Sequence, residues 1–543
     1  MRFSIVPLVA GLIVPQGIAC AGNQKPGPSD IEHTGERSRP NIIIVITDDQ
    51  GYSDLGCYGG EMHTPVLDRL ASEGILLTHF YNSAMCIASR AALMTGNYSV
   101  SSMPGFKNMP VVTEYLQEAG YRNALIGKWH LPGDPMDRGF DHFFGFLGGF
   151  ADHFTGGPDF RLDRTPFKDF GDDYFSTDAF TDRAVQFIES IAESADQSPF
   201  FLLLSYQAPH NPLQAPRDDI MRHRGKYLEG WQAIREARFT RQKELGIVPE
   251  HAALPAYPEN LPGWESLSPE QQDLEDLRMA VYAAMIEGID QGVGKVISTL
   301  EELGMADDTF LLFMSDNGTD SFSVMDTVFL DRNILPGDRA SNWQPGTGWA
   351  YATVTPWRLY KISQHGGGVT TGAIAWWPSG ITGQKGRIDQ TLVHKIDLLP
   401  TFMDIINHPA GDKAISGESF YPLLKGQTWQ RPDPLFFQFA DNRAIRTAEW
   451  TLVEVDDAGW ELFHTPTDPF EDINLASEHP GIVKSLSEQW LNWYLTESGK
   501  ETYIPQSTKD NPHYKPQGDR GSGVLYTPSA MPEHLKNRYI IER

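Results

Sequence analysis

At 543 residues the chain is longer than one typical domain, so a large domain with a smaller C-terminal companion is the default expectation. Its 71 acidic and 44 basic residues leave a net charge of −27, which argues against unassisted binding to nucleic acid or to an anionic membrane surface. An anionic substrate would need a locally positive pocket. Three cysteines, Cys20, Cys57 and Cys86, are too few for a disulfide framework.

Residues 1–15 carry one positive charge, Arg2, and an apolar run too short to span a bilayer, the pattern of an export signal. Cleavage after Ala21 gives a soluble periplasmic or extracellular protein, and cleavage before Cys20 gives a lipoprotein. The absence of Leu three residues before Cys20 weighs against the lipid anchor. Residues 22–39 are polar and read as a flexible tether.

Four apolar runs, residues 42–46, 124–126, 200–204 and 310–314, each lead directly into residues able to bind a metal or move a proton. These are Asp48 and Asp49, then Lys128 and His130, then His210, then Asp316 and Asn317. Unbroken apolar runs suit strands covered on both faces, as in a largely parallel sheet, and ligands of such sheets sit beyond the strand carboxyl ends. Helices are predicted at 64–74, with Pro65 in the first turn and Gly74 as the stop, and near 111–119, 177–194 and 276–303. A basic and aromatic insertion, 226–264, is predicted to form a helical hairpin at the pocket rim. From about 430 the pattern becomes short alternating strands at 450–455 and 460–463, with a turn at 456–459 and an amphipathic stretch at 482–491. The expected division is an export signal (1–21), a tether (22–39), a catalytic domain (40–429, with 217–275 as rim insertion), a C-terminal subdomain (430–499) and a tail laid over the surface (500–543).

Cys86 stands three residues before Ser89, a plausible helix N-cap, and the helix formers from Arg90 onward stop at Gly96. The cysteine therefore lies at or just before a helix N-terminus, a place receptive to an anion, with Arg90 one turn on. Taken alone, the pair reads first as an ordinary buried thiol beside a surface arginine, and a Cys57–Cys86 disulfide is a further rival. Asp48-Asp49 and Asp316-Asn317 are either polar turns or an all-oxygen cation site, because clustered carboxylates about 4 Å apart repel by roughly 4 kcal/mol at an effective dielectric of 20. Oxygen ligands without histidine favour calcium or magnesium. His210, fixed between prolines in Ala208-Pro-His-Asn-Pro212, is either structural or a proton donor working near neutrality.

Cys86-x-Ala88-Ser89-Arg90, followed by Ala-Leu-Met-Thr-Gly96, closely resembles the signature of the type I sulfatases, whose alkaline-phosphatase-like fold is a layered α/β architecture. The expectation is a large, mostly parallel central sheet flanked by helices, with a smaller C-terminal α+β subdomain and a short antiparallel sheet. In that family the cysteine is oxidised to formylglycine by a formylglycine-generating or anaerobic sulfatase-maturating enzyme, and the hydrated aldehyde is the nucleophile. Asp48, Asp49, Asp316 and Asn317 match the family's calcium ligands, with residue 86 beside them. Gly127-Lys-Trp-His130 is similar to the motif whose lysine contacts sulfate and nucleophile and whose histidine holds and deprotonates a formylglycine hydroxyl. By the same likeness His210 is the general acid for the leaving oxygen, Lys361 contacts the sulfate and ester oxygen, and Arg90 with the two lysines spreads its charge. The pattern departs from the family after Lys361, where Gly366-Gly-Gly replaces Glu-Gly-Gly and Val369-Thr370 replaces Ile-Arg. The resemblance implies an arylsulfatase-like sulfatase acting on a sulfated small molecule or glycan. A phosphonate or phosphate monoester hydrolase on the same scaffold and a non-catalytic sulfated-glycan binder are the alternatives. Trp231, Trp343 and Trp349 are the aromatic residues expected to stack on a sugar or aryl ring at the rim.

Overall fold

The apolar runs become strands in the computed structural model, which describes residues 39–539 apart from 197, 324–325, 410, 412–414, 433, 456–458 and 506–525. These four strands, β1 (Asn41–Asp48), β2 (Arg122–Lys128), β4 (Phe200–Pro209) and β5 (Thr309–Ser315), and a fifth, β3 (His142–Phe146), lie parallel in the order β5-β1-β4-β2-β3. The strand β6 (Ala373–Trp376) adds antiparallel to β5, and short strands extend both edges to ten in all. Ile42 of β1 sits opposite Phe201 of β4 and Phe310 of β5, so the apolar runs are in register across the middle of the sheet.

β1 is apolar without alternation because both of its faces are covered. Ile43 and Val45 belong to one core with Ile188 and Val293, whereas Ile42, Ile44 and Ile46 belong to another with Leu93, Leu116 and Phe402. Burying each such side chain contributes roughly 1.5–3 kcal/mol. The helices behind these contacts are α1 (Pro65–Glu73), α2 (Cys86–Thr95), α3 (Val112–Glu118), α4 (Ser176–Ala192), α5 (Gly230–Glu244) and α6 (Pro269–Glu302). α6 begins seven residues before the expected 276, at a capping box in which Ser268 and Gln271 satisfy each other's backbone N–H.

The insertion is not a helical hairpin. It folds as the single helix α5, then irregular chain and a short turn at Trp264–Ser266. α5 faces inward: Arg238 pairs with buried Asp54 at 2.8 Å, and Arg235 donates to the carbonyls of Tyr351, Pro356 and Trp357. Nor does Ser89 cap α2. Met85 is the N-cap, Cys86 is the first helical residue, and Gly96 ends the helix in the left-handed conformation, its N–H bonding Ala92.

In the span from 430, β7 (Leu435–Phe439), β8 (Asn442–Arg446), β9 (Trp450–Glu454) and β10 (Glu461–His464) form an antiparallel meander, followed by the helix Pro480–Ser498. One face of the meander packs Ile445, Leu452 and Leu462 on Leu486 and Trp490; the other packs Leu435, Phe437, Ala444 and Val453 on Tyr81, Ala84 and Val369. No helix among the described residues is long and apolar enough to cross a membrane. The export signal, the tether, Cys20 and residues 456–458 of the expected turn lie outside the described residues.

The tail does more than lie over the surface. Tyr526, Met531, Leu535 and Tyr539 are buried in the main core, and the Tyr526 hydroxyl bonds Glu275 at 2.9 Å and accepts from Arg278 at 2.7 Å. Burial pushes Glu275 up to about 7 against the pull of Arg278. Its folded pKa lies above the ordinary glutamate value, so its contribution is fully present below that ordinary value and is lost as pH rises through about 7, a swing of about 3 kcal/mol. Glu275→Gln is expected to flatten the fall in melting temperature between pH 5 and 7, measured by thermal unfolding in parallel with the wild type.

Candidate active site

Because β1, β2, β4 and β5 are parallel, their carboxyl ends meet on one edge of the sheet. Asp48 and Lys128 are the last residues of β1 and β2, while His210 and Asp316 directly follow β4 and β5. α2 starts at Cys86 against the same edge, so its free backbone N–H groups are available to an anion there. Asp49 (φ 63°) and His130 (φ 54°) are left-handed, so the chain turns abruptly at both strand ends. Such conformations cost of order 1 kcal/mol each and persist where surrounding structure enforces them.

Lys128 Nζ contacts Asp48 Oδ2 at 2.5 Å, with neither side chain exposed, and Lys361 Nζ contacts Asp49 Oδ2 at 2.7 Å. Asn317 donates to Asp49 Oδ1 at 2.6 Å, and the Asp49 N–H donates to Asp316 Oδ1 at 3.3 Å. Cys86 Sγ is 3.3 Å from His130 Nδ1, and His210 Nε2 is 3.6 Å from Asp49 Oδ2. Cys57 and Cys86 are both free thiols, which removes the disulfide reading. Arg90 is a clamp: it donates to the Lys128 carbonyl at 3.0 Å, to Ser205 Oγ at 2.6 Å and to Asp316 at 3.1 Å, tying α2 to three strand ends. Its charge therefore reaches the pocket from behind.

Burial favours the neutral form of Asp48, but Lys128 and then His210 outweigh it and hold the carboxyl below its usual value. Burial likewise opposes the charge on Lys361, yet Asp49, then Cys86 and Asp320, keep its ammonium well above the usual value. Burial raises the Cys86 thiol against the pull of Lys128 and Lys361, so an unmodified Cys86 is a protonated, weak nucleophile at neutral pH. Burial, reinforced by Lys128 and Arg90, pushes His130 far below its ordinary value, so the imidazole is neutral in this cationic pocket and its ring nitrogens serve as hydrogen-bonding groups.

Three features fit a cation among the carboxylates. Asp48 Oδ1 and Asn317 Oδ1 are buried acceptors without a hydrogen-bond partner among the described residues. One atom each from Asp48, Cys86 and Asp316 lie within 4.8 Å of one another, as do atoms from Asp48, Asp49 and His210. The donors at the centre are oxygens from carboxylates and an amide, the set that hard cations such as calcium take.

Two charged residues at this centre were not singled out by sequence. Asp320 is buried, accepts from the Phe322 N–H and from Gln344 Nε2 at 2.9 Å each, and is raised by burial against Lys361. Lys395 is buried and donates to Ser89 Oγ at 3.2 Å and to the Ser315 carbonyl at 3.3 Å; burial lowers it to about 7 although Asp316 opposes the shift. Asp320 looked like one more turn residue, and Lys395 meets Ser89 across 306 positions, for which local sequence carries no signal.

The departure after Lys361 has a steric reason. A Cβ on Gly366 would lie 2.2 Å from the Trp357 ring, so a glutamate cannot stand there. Glu471 supplies a carboxylate instead, accepting the Gly366 N–H at 3.0 Å and pairing with Arg446 at 2.5 Å. The tryptophan rim expectation fails, because Trp231, Trp343 and Trp349 are at most 1% exposed and donate their indole N–H groups to Tyr257, Ile334 and Glu275. A cavity of about 670 Å³ bordered by His79, Trp357, Arg431 and Phe470 includes none of the motif residues.

Fold and site define a layered α/β protein whose polar centre at the strand ends pairs acidic metal-type ligands with cations and histidines. The sulfatase family model matches residues 40–408. An uncharacterized sulfatase of Schizosaccharomyces pombe is 30% identical, over 86% of this chain and 95% of its own. An arylsulfatase of Klebsiella aerogenes is 32% identical, over 72% and 92%. Among solved structures, a protein in complex with its substrate D-glucosamine-2-N,6-O-disulfate superposes with a TM-score of 0.60 at 20% identity, over 88% of this chain and 99% of that one. The chain belongs to the sulfatase family and is a sulfuric ester hydrolase.

Proposed function

We propose that this sulfatase works through formylglycine at position 86 and a calcium ion held by Asp48, Asp49, Asp316 and Asn317. The observation that carries the reading is the meeting of Cys86, His130, His210, Lys128 and Lys361 with that oxygen cluster at one helix N-terminus. When present, calcium supplies fixed positive charge to sulfate oxygens and formylglycine supplies a hydrated aldehyde as nucleophile; Cys86 Sγ marks where its reacting oxygen would stand.

The remaining work falls to side chains. The carboxylates of Asp48, Asp49 and Asp316 face the cations Arg90, Lys128 and Lys361, so the centre is formally balanced, and a divalent cation would leave it positive, as an anionic ester requires. Lys128 and Lys361, both flanking Cys86, then have charge to offer to the sulfate. His130 Nδ1, 3.3 Å from the residue-86 side chain, is the ring nitrogen placed to hold a hydroxyl there and to take its proton as the intermediate collapses. The Asn211 carbonyl accepts from His210 Nδ1 at 2.7 Å, which fixes the proton on that nitrogen and turns Nε2 toward the pocket. In the imidazolium form, Nε2–H is the proton delivered to the departing alcohol.

The substrate proposed is a sulfate monoester of an aryl alcohol or a carbohydrate, in line with the arylsulfatase of Klebsiella aerogenes and with the sulfated monosaccharide bound in the solved neighbour. Export to the periplasm or beyond, by the signal at residues 1–21, and maturation by a formylglycine-generating enzyme complete the proposal. Protein co-produced with such an enzyme is expected to hydrolyse an aryl sulfate, to lose that activity in a chelator, and to recover it with calcium. Faster hydrolysis of the phosphate ester of the same phenol would contradict the reading.

A further inference from the structure

The segment from Leu147 to Ala151 lies against both site histidines, Gly149 beside His130 and Phe150 beside His210. Its ends are pinned: the His130 N–H bonds the Leu147 carbonyl at 3.2 Å, and Gln207 exchanges hydrogen bonds with Ala151 through Oε1 at 3.1 Å and Nε2 at 2.5 Å. Gly149 packs so closely that a Cβ there would lie 3.0 Å from His130 Nε2. Between these anchors Phe150 is 57% exposed, the one phenylalanine among the described residues with so large an open face. Its ring stacks on His210, with centroids 6.3 Å apart and planes 18° from parallel. A single exposed ring is ordinary on a protein surface, but one held directly beside His210 offers apolar area that a bound leaving group would cover with a gain in hydrophobic free energy.

Resting on the sulfate-ester reading, we propose that Phe150 is a specificity-determining platform for the leaving group, and that the substrate carries its sulfate on a ring with a flat apolar face, aromatic or pyranose. His210 Nε2 faces the reacting centre and the imidazole stacks on Phe150, so an alcohol leaving beside Nε2 extends across the phenyl ring. Aryl rings stack offset on phenylalanine, and the C–H face of a pyranose makes the same apolar contact. The segment's backbone anchors set the ring's place without burying it, which is what a contact surface for a ligand requires.

The test uses matured, calcium-loaded enzyme and three probes: nitrophenyl sulfate, a hexosamine sulfate and linear hexyl sulfate. Each variant is compared with the wild type on the same substrate, which removes differences in leaving-group reactivity. Phe150→Ala is expected to lower kcat/KM about 10-fold on one or both ring substrates, mainly through KM, and about 2-fold on hexyl sulfate, while Phe150→Trp restores the ring substrates. The ring substrate that suffers more identifies the ring type. Equal losses on all three, or a loss confined to kcat, would show that Phe150 only positions His210 and would overturn the platform. A wild type that turns over none of the three overturns the sulfate-ester site itself, and the platform with it.

Discussion

Cys86→Ala is expected to abolish turnover of aryl sulfate, a drop on the order of 10⁴-fold or more in kcat, because the substitution removes the only atom from which the nucleophile can be made. The fold is expected to survive. Cys86 is 2% exposed at the first position of α2, alanine suits that position, and the side chain's polar contact among the described residues is the 3.3 Å approach to His130. Melting temperature close to that of the wild type with no turnover is the expected pair of results. Residual turnover within ten-fold of the wild type would mean that another group attacks sulfur.

Asp48→Asn is expected to damage both stability and activity. Lys128 and Asp48 are wholly buried and in contact, so a neutral partner leaves an uncompensated ammonium in the interior, which costs about 3–5 kcal/mol. The same change removes a carboxylate from the cation cluster and relaxes the balance that sets the pocket's sign. The expected outcome is a lowered melting temperature and turnover reduced by at least about 10³-fold, with calcium restoring chelated wild type but not the variant. A stable variant that calcium fully rescues would show that Asp48 is neither the structural partner nor a ligand.

Much of this arrangement was legible in the chain. Runs such as residues 42–46 and 310–314 have no polar residue on either face, which suits a strand covered on both sides, and parallel order then brings Asp48, Lys128, His210 and Asp316 to one edge. The motif around Cys86 placed the thiol at the helix start even though the capping residue was misread. There Ser89 had the ordinary signature of an N-cap, and its hydroxyl instead donates to the Asp316 carbonyl at 2.5 Å inside the helix.

What the sequence did not yield depends on contacts between distant segments. A tryptophan reads alike whether it floors a pocket or packs a core, and Trp231, Trp264 and Trp349 pack edge to face on one another, centroids 4.9–5.9 Å apart. Glu471 reaches the lysine-bearing loop from the irregular chain after the C-terminal sheet, 105 positions from its partner Gly366, so the loss of the family's glutamate gave no hint of where a carboxylate would return. Phe150, in an unremarkable Gly-Gly-Phe stretch, gains meaning only from the ring it lies against.

The most direct test of the account is peptide mass spectrometry of the segment containing position 86, on protein co-produced with a formylglycine-generating enzyme. The account predicts loss of the thiol sulfur and gain of an aldehyde oxygen at Cys86, in proportion to specific activity across preparations. An unmodified thiol in protein that still hydrolyses aryl sulfate would contradict it.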